Sequence, residues 1–246
     1  MVTRRQTSSE PTLANANGYV AFLDILGFTA LLKKPDHEEI IGRVVQTLQK
    51  RVNYDSKHTT GLRYLAISDT IIITAEDGKG WALVRKIAQV QTALLRQGFA
   101  VRGAISYGPV LSYDGNNMGR NIFGKTYLAA YEGEQKLAVY PRVVTTDEDV
   151  ADQIWDDIKE ETERKVSTYL IKDKNDGLWF VNQFSSQVIG RNSNTKESRD
   201  DAELLRAEFG EQIKKNLSET RKNPRANMKW RWLQRQLDAV LPPLEA

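Results

Sequence analysis

The chain has no cysteine and only two histidines among its 246 residues. The first absence excludes a disulfide framework, thiolate metal centres and a cysteine nucleophile. His37 and His58 stand among charged neighbours, which leaves zinc chemistry short of ligands. A catalytic metal would rest on oxygen ligands, which suits magnesium or manganese. An excess of one charge is also missing. The 35 Lys+Arg against 32 Asp+Glu give +3, too little for the footprint of a general nucleic-acid binder unless the cations cluster. The longest apolar stretch, Tyr19 to Leu32, is interrupted by Asp24 and Thr29 and is too short to span a bilayer. Residues 1–17 have no apolar segment behind their two arginines, so they read as a disordered leader rather than a signal peptide. A cytoplasmic protein without a membrane partner is expected.

What is present, 40% apolar and 27% charged residues, describes one globular domain with an appendage. Tyr19 to Ile25 is a short apolar run suited to a buried strand. Asp36 with Glu39 resembles a capping box and precedes Ile40, Ile41, Val44, Val45 and Leu48 at helical spacing. Leu62 to Ile67 and Thr70 to Ala75 flank Ser68-Asp69 as a hairpin. Trp81 to Leu95 traces a second amphipathic helix that stops at Gln97-Gly98. Phe99 to Tyr107 alternates like a strand, and Pro109 to Asn117 reads as a turn. The order β-α-β-β-α-β is the ferredoxin-like unit, an α+β fold whose central, mostly antiparallel sheet is flanked by helices. Further on, the pattern predicts a helix over 124–137, a strand over 139–145, an acidic helix after Thr145-Thr-Asp-Glu-Asp149, and a hairpin around Asp173 to Gly177. Residues 18–184 form the expected catalytic domain, and 185–246 a Ser/Asn-rich linker with a C-terminal helical extension.

Two carboxylates stand out. Asp24 interrupts Ala-Phe-Leu-Asp-Ile-Leu-Gly-Phe-Thr, where its neighbours are core material. An unpaired buried carboxylate is costly, so Asp24 needs a cation, a strong donor or water. It reads either as a cap of the following turn or as a ligand. Gly27 lets the backbone approach a bound group, and Phe28 and Thr29 offer amides to phosphate. Asp69 either makes its turn or acts with Asp24. In the ferredoxin-like topology the first strand lies beside the hairpin, so the two aspartates can converge on two divalent ions about 3.5–4 Å apart.

These residues resemble the class III nucleotidyl cyclases. Their first strand, Phe-x-Asp-Ile-x-Gly-Phe-Thr, is matched by Phe22 to Thr29, their hairpin Gly-Asp by Ser68-Asp69, and their Arg-x-Gly-Ile-x-x-Gly strand by Arg102 to Gly108 with Ala104 at one place. A fourth block, Asp-Ile-Trp-Gly-x-x-Val-Asn-x-Ala-x-Arg, aligns with Asn121 to Glu132. The resemblance covers roughly residues 18–183. It implies that Asp24, Asp69 and the Ile25 carbonyl hold two Mn²⁺ or Mg²⁺ ions per site. It implies that Gly27, Phe28 and Thr29 cradle phosphates, and that Arg102 pairs with the triphosphate. Lys172, in the loop where the family has lysines, would reach the phosphates from a partner subunit; as an exposed loop lysine it also reads as simply solvated.

Departures from the family pattern bear on the base. A lysine four residues before the second aspartate becomes Leu65, flanked by Arg63 and Tyr64, and Tyr64 is the candidate nucleotide contact there; the acidic base-reading residue becomes Asn121; the transition-state asparagine and arginine become Leu128 and Glu132. Lys125, Tyr127 and Tyr131 are nearby in sequence as replacements. A side-chain amide at 121 both donates and accepts, which suits uracil or cytosine. This combination is similar to the pyrimidine cyclases of bacterial anti-phage (Pycsar) defence. The likeness implies a homodimer with composite active sites, UTP or CTP as substrate, cyclic UMP first among products, and a separate effector that reads the cyclic nucleotide. An inactive cyclase-like nucleotide-sensing module is the alternative. At the C-terminus, Arg221, Lys222, Arg225, Lys229, Arg231 and Arg235 interleave with Trp230 and Trp232 without an acid. That is either a nucleic-acid surface or an amphipathic helix packing its tryptophans on the domain, and the second is the expectation.

Overall fold

A computed structural model describes residues 13–58, 61–115, 119–161, 169–185 and 196–240. Among these residues, eight strands form one sheet. The elements run β1 (Leu13–Ile25), α1 (Phe28–Leu31), α2 (His37–His58), β2 (Leu62–Ile67), β3 (Thr70–Glu76), α3 (Gly80–Leu95), β4 (Val101–Gly115), β5 (Gly119–Phe123), α4 (Lys125–Lys136), β6 (Val143–Thr145), α5 (Glu148–Glu161), β7 (Leu170–Lys172), β8 (Trp179–Val181), α6 (Lys196–Glu219) and α7 (Pro224–Val240). The sheet order is β2-β3-β1-β4-β6-β8-β7, with β5 paired to β4. All pairs are antiparallel except β4 with β6. The expected α+β architecture, with its βαββαβ unit and helical extension, is what the chain adopts.

Strand period assigns the two faces of the sheet. Tyr19, Ala21, Leu23 and Ile25 of β1 join Ile71, Ile73 and Ile105 in the larger core, beneath α2, α3 and α5. Val20 and Phe22 point the other way, with Ile72, toward Ala130 of α4. On that second face Ala104, Val144 and Phe180 are covered by Phe209 and Ile213 of α6 and by Trp230, Trp232 and Leu233 of α7. The tryptophans of the basic stretch are therefore buried, as the amphipathic reading expects. Trp232 stacks on Tyr140 with ring centroids 5.6 Å apart and donates its indole N–H to Asp173 at 3.3 Å. Asp173 also accepts from the buried Arg142 at 2.6 Å. Asn223 caps α7 by accepting the Ala226 amide, with Pro224 in the first helical position.

Four boundaries differ from expectation. β1 begins at Leu13, so residues 13–17 belong to the sheet rather than to the leader. They pair with Pro109–Tyr113, which lie in β4 and not in a turn. The two segments rescue one another, since each closes the other's open edge. The strand expected over 139–145 is confined to Val143–Thr145, and α6 starts at Lys196 inside the stretch read as linker. Among the described residues, no helix is long and apolar enough to cross a membrane.

Candidate active site

Asp24 lies one residue before the end of β1, on the same face as Phe22. Its Cα partner on β4 is Arg102 and on β3 is Thr70. Asp69 thus sits at the turn beside Asp24, half-buried, and the Ile25 amide donates to the Asp69 carbonyl at 3.0 Å. That backbone hydrogen bond ties the end of β1 to the turn that carries Asp69. Ser68 holds the hairpin at φ 58°, the left-handed region that favours glycine.

Arg102 joins Asp24 to a residue that the sequence did not single out. Its Nε donates to Asp24 Oδ2 at 3.0 Å, and its Nη2 lies 2.6 Å from Glu134 Oε1 as an ion pair without hydrogen-bond alignment. Glu134 is wholly buried. It arrives there because Gly133 lets α4 press on the sheet: a Cβ at 133 would meet the Ala104 Cβ at 2.8 Å. Burial pushes the Glu134 carboxyl above its ordinary range; Arg102 opposes that shift and Asp24 reinforces it. A glutamate on a polar helix gives no sequence signal of burial; only the glycine before it hints at a close approach.

Gly27, at φ 84°, turns the chain out of β1 into α1. The Ala30 and Leu31 amides close on the Gly27 carbonyl, and among the described residues those of Phe28 and Thr29 have no partner. Phe28 buries its ring in the larger core, and Thr29 is exposed. On the same face, Tyr127 and Tyr131 of α4 meet the Phe22 ring edge-on at 6.0 and 5.3 Å. Tyr131 is thus close to Asp24, whereas Glu132 pairs outward with Lys136. From the C-terminal extension comes Lys229, half-buried within Coulombic reach of Arg102, Asp24 and Glu134. Burial and then Arg102 lower its pKa, and Asp24 and Glu134 partly restore it.

Not every expected residue converges here. Tyr64 packs into the larger core, on the face opposite Asp24, so the expectation that it touches a base beside Asp24 is corrected; Leu65 takes the facing position because side chains alternate along β2. Lys172, expected to act at the site of a partner subunit, lies on β7, at the far edge of the sheet from β1, and bonds Glu148 at 2.6 Å over the Trp179 ring. Asn121 occupies β5 opposite Tyr113, with its side chain outside the described residues. Among the described residues, no three His, Asp or Glu side chains cluster as a metal cage. Two aspartates and a carbonyl fit instead a hard cation that completes its shell with water and phosphate oxygens, which is how magnesium is commonly held.

The sheet order, with α4 laid across β1 and β4 beside Asp24, defines the fold of nucleotidyl cyclase catalytic domains. A bacterial light-regulated adenylyl cyclase aligns at a TM-score of 0.50 and 16% identity, over 82% of this chain and 59% of that one. The guanylyl cyclase domain of the RhoGC fusion protein from the aquatic fungus Blastocladiella emersonii aligns at 0.50 and 12% identity, over 70% of this chain and 97% of that domain. At these identities the likeness establishes the fold. No protein-family model and no curated protein sequence matches the chain.

Proposed function

We propose that the chain is a metal-dependent nucleotidyl cyclase acting on a pyrimidine nucleoside triphosphate, with UTP first and CTP second. The observation that carries the reading is the placement of Asp24 at the end of β1 and Asp69 on the β2–β3 turn, joined by the Ile25–Asp69 hydrogen bond, with Arg102 directly across from Asp24. In the reaction the ribose 3′-hydroxyl loses its proton and its oxygen bonds to the α-phosphorus. The bond from that phosphorus to the bridging oxygen breaks, and pyrophosphate leaves with the electron pair. Asp24, Asp69 and the Ile25 carbonyl would hold Mg²⁺ or Mn²⁺, which when bound lowers the hydroxyl pKa and stabilises phosphate charge. Arg102 orients the triphosphate once phosphate displaces a carboxylate from its guanidinium. Leu65, facing Phe22 and Ile72, offers no charge to a purine edge, and with an amide at Asn121 this supports a pyrimidine. Exposed apolar side chains, among them Ile67 on the hairpin and Leu128 and Tyr131 on α4, support a homodimer with composite active sites. A cyclic UMP product would act as a second messenger in anti-phage defence, read by a separate effector.

The engagement of Arg102 by both Asp24 and Glu134, with Leu128 and Glu132 on α4, favours one second reading: an inactive module that senses a nucleotide in the same pocket. Incubating the purified chain with manganese and each of ATP, GTP, UTP and CTP, then weighing the products, separates the two. Cyclic UMP is expected, and Asp24→Asn or Asp69→Asn should abolish it. No cyclic product from any triphosphate, with metal bound normally, defeats the cyclase reading.

A further inference from the structure

The cations and the tryptophans of α7 face different surroundings. Trp230, Trp232, Leu233 and Leu237 cover the sheet. Arg225 and Lys229, four residues apart and so on one helix face, line a cavity of about 520 Å³. The cavity runs from the turn after β1, including Gly27, to α6 and α7, and it is large enough for a small ligand. Lys34, Arg43, Lys215, Arg225 and Lys229 line it against two carboxylates. Arg43 is already paired with Glu39 at 2.9 Å. Lys229, by contrast, is half-buried and has no hydrogen bond or salt bridge among the described residues. A partly desolvated cation that no carboxylate contacts directly is held at a cost that an arriving anion removes. Outside the cavity, Arg102 on β4 is occupied by two carboxylates. The catalytic face alone therefore has little free positive charge to offer a triphosphate.

We propose that α7 is a wall of the nucleotide site, with Lys229 and Arg225 receiving the terminal phosphates of the substrate and the pyrophosphate it leaves. The assignment rests on the cyclase reading and adds to it a phosphate site supplied by the C-terminal extension of the same chain. It gives the basic stretch a role that needs neither nucleic acid nor exposed tryptophans. It also places the phosphate cations beside Gly27, at the end of the sheet where Asp24 and Asp69 stand.

The test is calorimetric titration of inorganic tripolyphosphate into the full chain with magnesium present. Lys229→Gln should weaken binding by about tenfold or more, the worth of one charge-assisted contact, and Arg225→Gln by a few-fold. Arg231→Gln, exposed on the same helix and outside the cavity, should bind like the wild type. Wild-type affinity in a folded Lys229→Gln overturns the proposal, as does a wild-type chain that binds no tripolyphosphate. If Lys229→Gln does not fold, Arg225→Gln decides, because its side chain is exposed. A chain that cyclises no triphosphate yet loses tripolyphosphate on Lys229→Gln keeps this inference and loses the cyclase reading. A chain that cyclises UTP, with KM and tripolyphosphate affinity indifferent to Lys229→Gln, does the reverse.

Discussion

Truncating Trp232 tests whether α7 belongs to the domain or merely rests on it. The indole is 1% exposed. It stacks on Tyr140 at 5.6 Å and 9°, meets Phe180 edge-on at 5.5 Å, and lies 5.7 Å from the Arg142 guanidinium. Trp232→Ala removes these contacts and leaves a cavity on a sheet too rigid to close it, for about 3–5 kcal/mol. Set against a total stability of about 5–15 kcal/mol, that is a large fraction. In a chain of this size each kcal/mol shifts Tm by about 2–4 °C, so Tm should fall by roughly 6–20 °C. Trp232→Phe keeps most of the buried ring and loses the hydrogen bond to Asp173, at a cost of about 1–2 kcal/mol. Thermal and urea unfolding followed by far-ultraviolet circular dichroism measures both. An unchanged Tm in Trp232→Ala, or a loss no greater than that of Trp232→Phe, would refute the claim that the C-terminal hairpin completes the core.

Three further outcomes are expected. Ser68→Gly relieves the positive φ at the hairpin and should stabilise the chain by about 0.5–1 kcal/mol net of glycine's entropy cost; a loss in urea unfolding would contradict the left-handed turn. Because the folded pKa of Glu134 lies above the 4.5 of an exposed glutamate, the native state keeps a proton that the unfolded chain releases as pH rises past 4.5, and unfolding free energy drops through that window. Glu134→Gln should therefore match the wild type near pH 4 and gain on it as pH rises; a gap in urea unfolding that stays flat with pH sinks the assignment. Leu128→Glu, at a side chain 51% exposed on α4, should leave unfolding within about 0.5 kcal/mol of wild type while converting dimer to monomer in sedimentation, and an unaltered dimer would place the interface elsewhere.

The βαββαβ unit was legible because hydrophobic period changes cleanly between its elements and the turns carry Gly98 and Ser68-Asp69. The start of β1 was not: Ala14-Asn-Ala-Asn17 does alternate, but alanine is too small to mark a face, and the strand is held by pairing with 109–113, nearly a hundred residues away. Pro109 disguised β4 as a turn, although its carbonyl accepts from the Thr126 hydroxyl at 2.7 Å. In the candidate site, Asp24 and Arg102 were visible as charged residues in apolar strands, and Asp69 as the acid on the turn between two of them. Glu134 and Lys229 were invisible as site residues, since a charged residue on a polar helix face looks the same whether it meets water or a neighbouring carboxylate. Tyr64 was misplaced by one residue of strand period, which is enough to move a side chain through the sheet.

The covering of one sheet face by α6 and α7 bears on how the chain is made. Both helices follow, in chain order, every strand they cover. During synthesis the βαββαβ unit can close its larger core under α2 and α3 early, but Val144 and Phe180 lack the cover of α6 and α7 until residues up to Leu237 have emerged. For that interval the nascent domain carries an apolar strip on the face that bears Asp24. Such a strip is a target for chaperones and a source of premature association between neighbouring chains. An active site with α7 as one wall would also be assembled last, so no partly made chain would handle nucleotide.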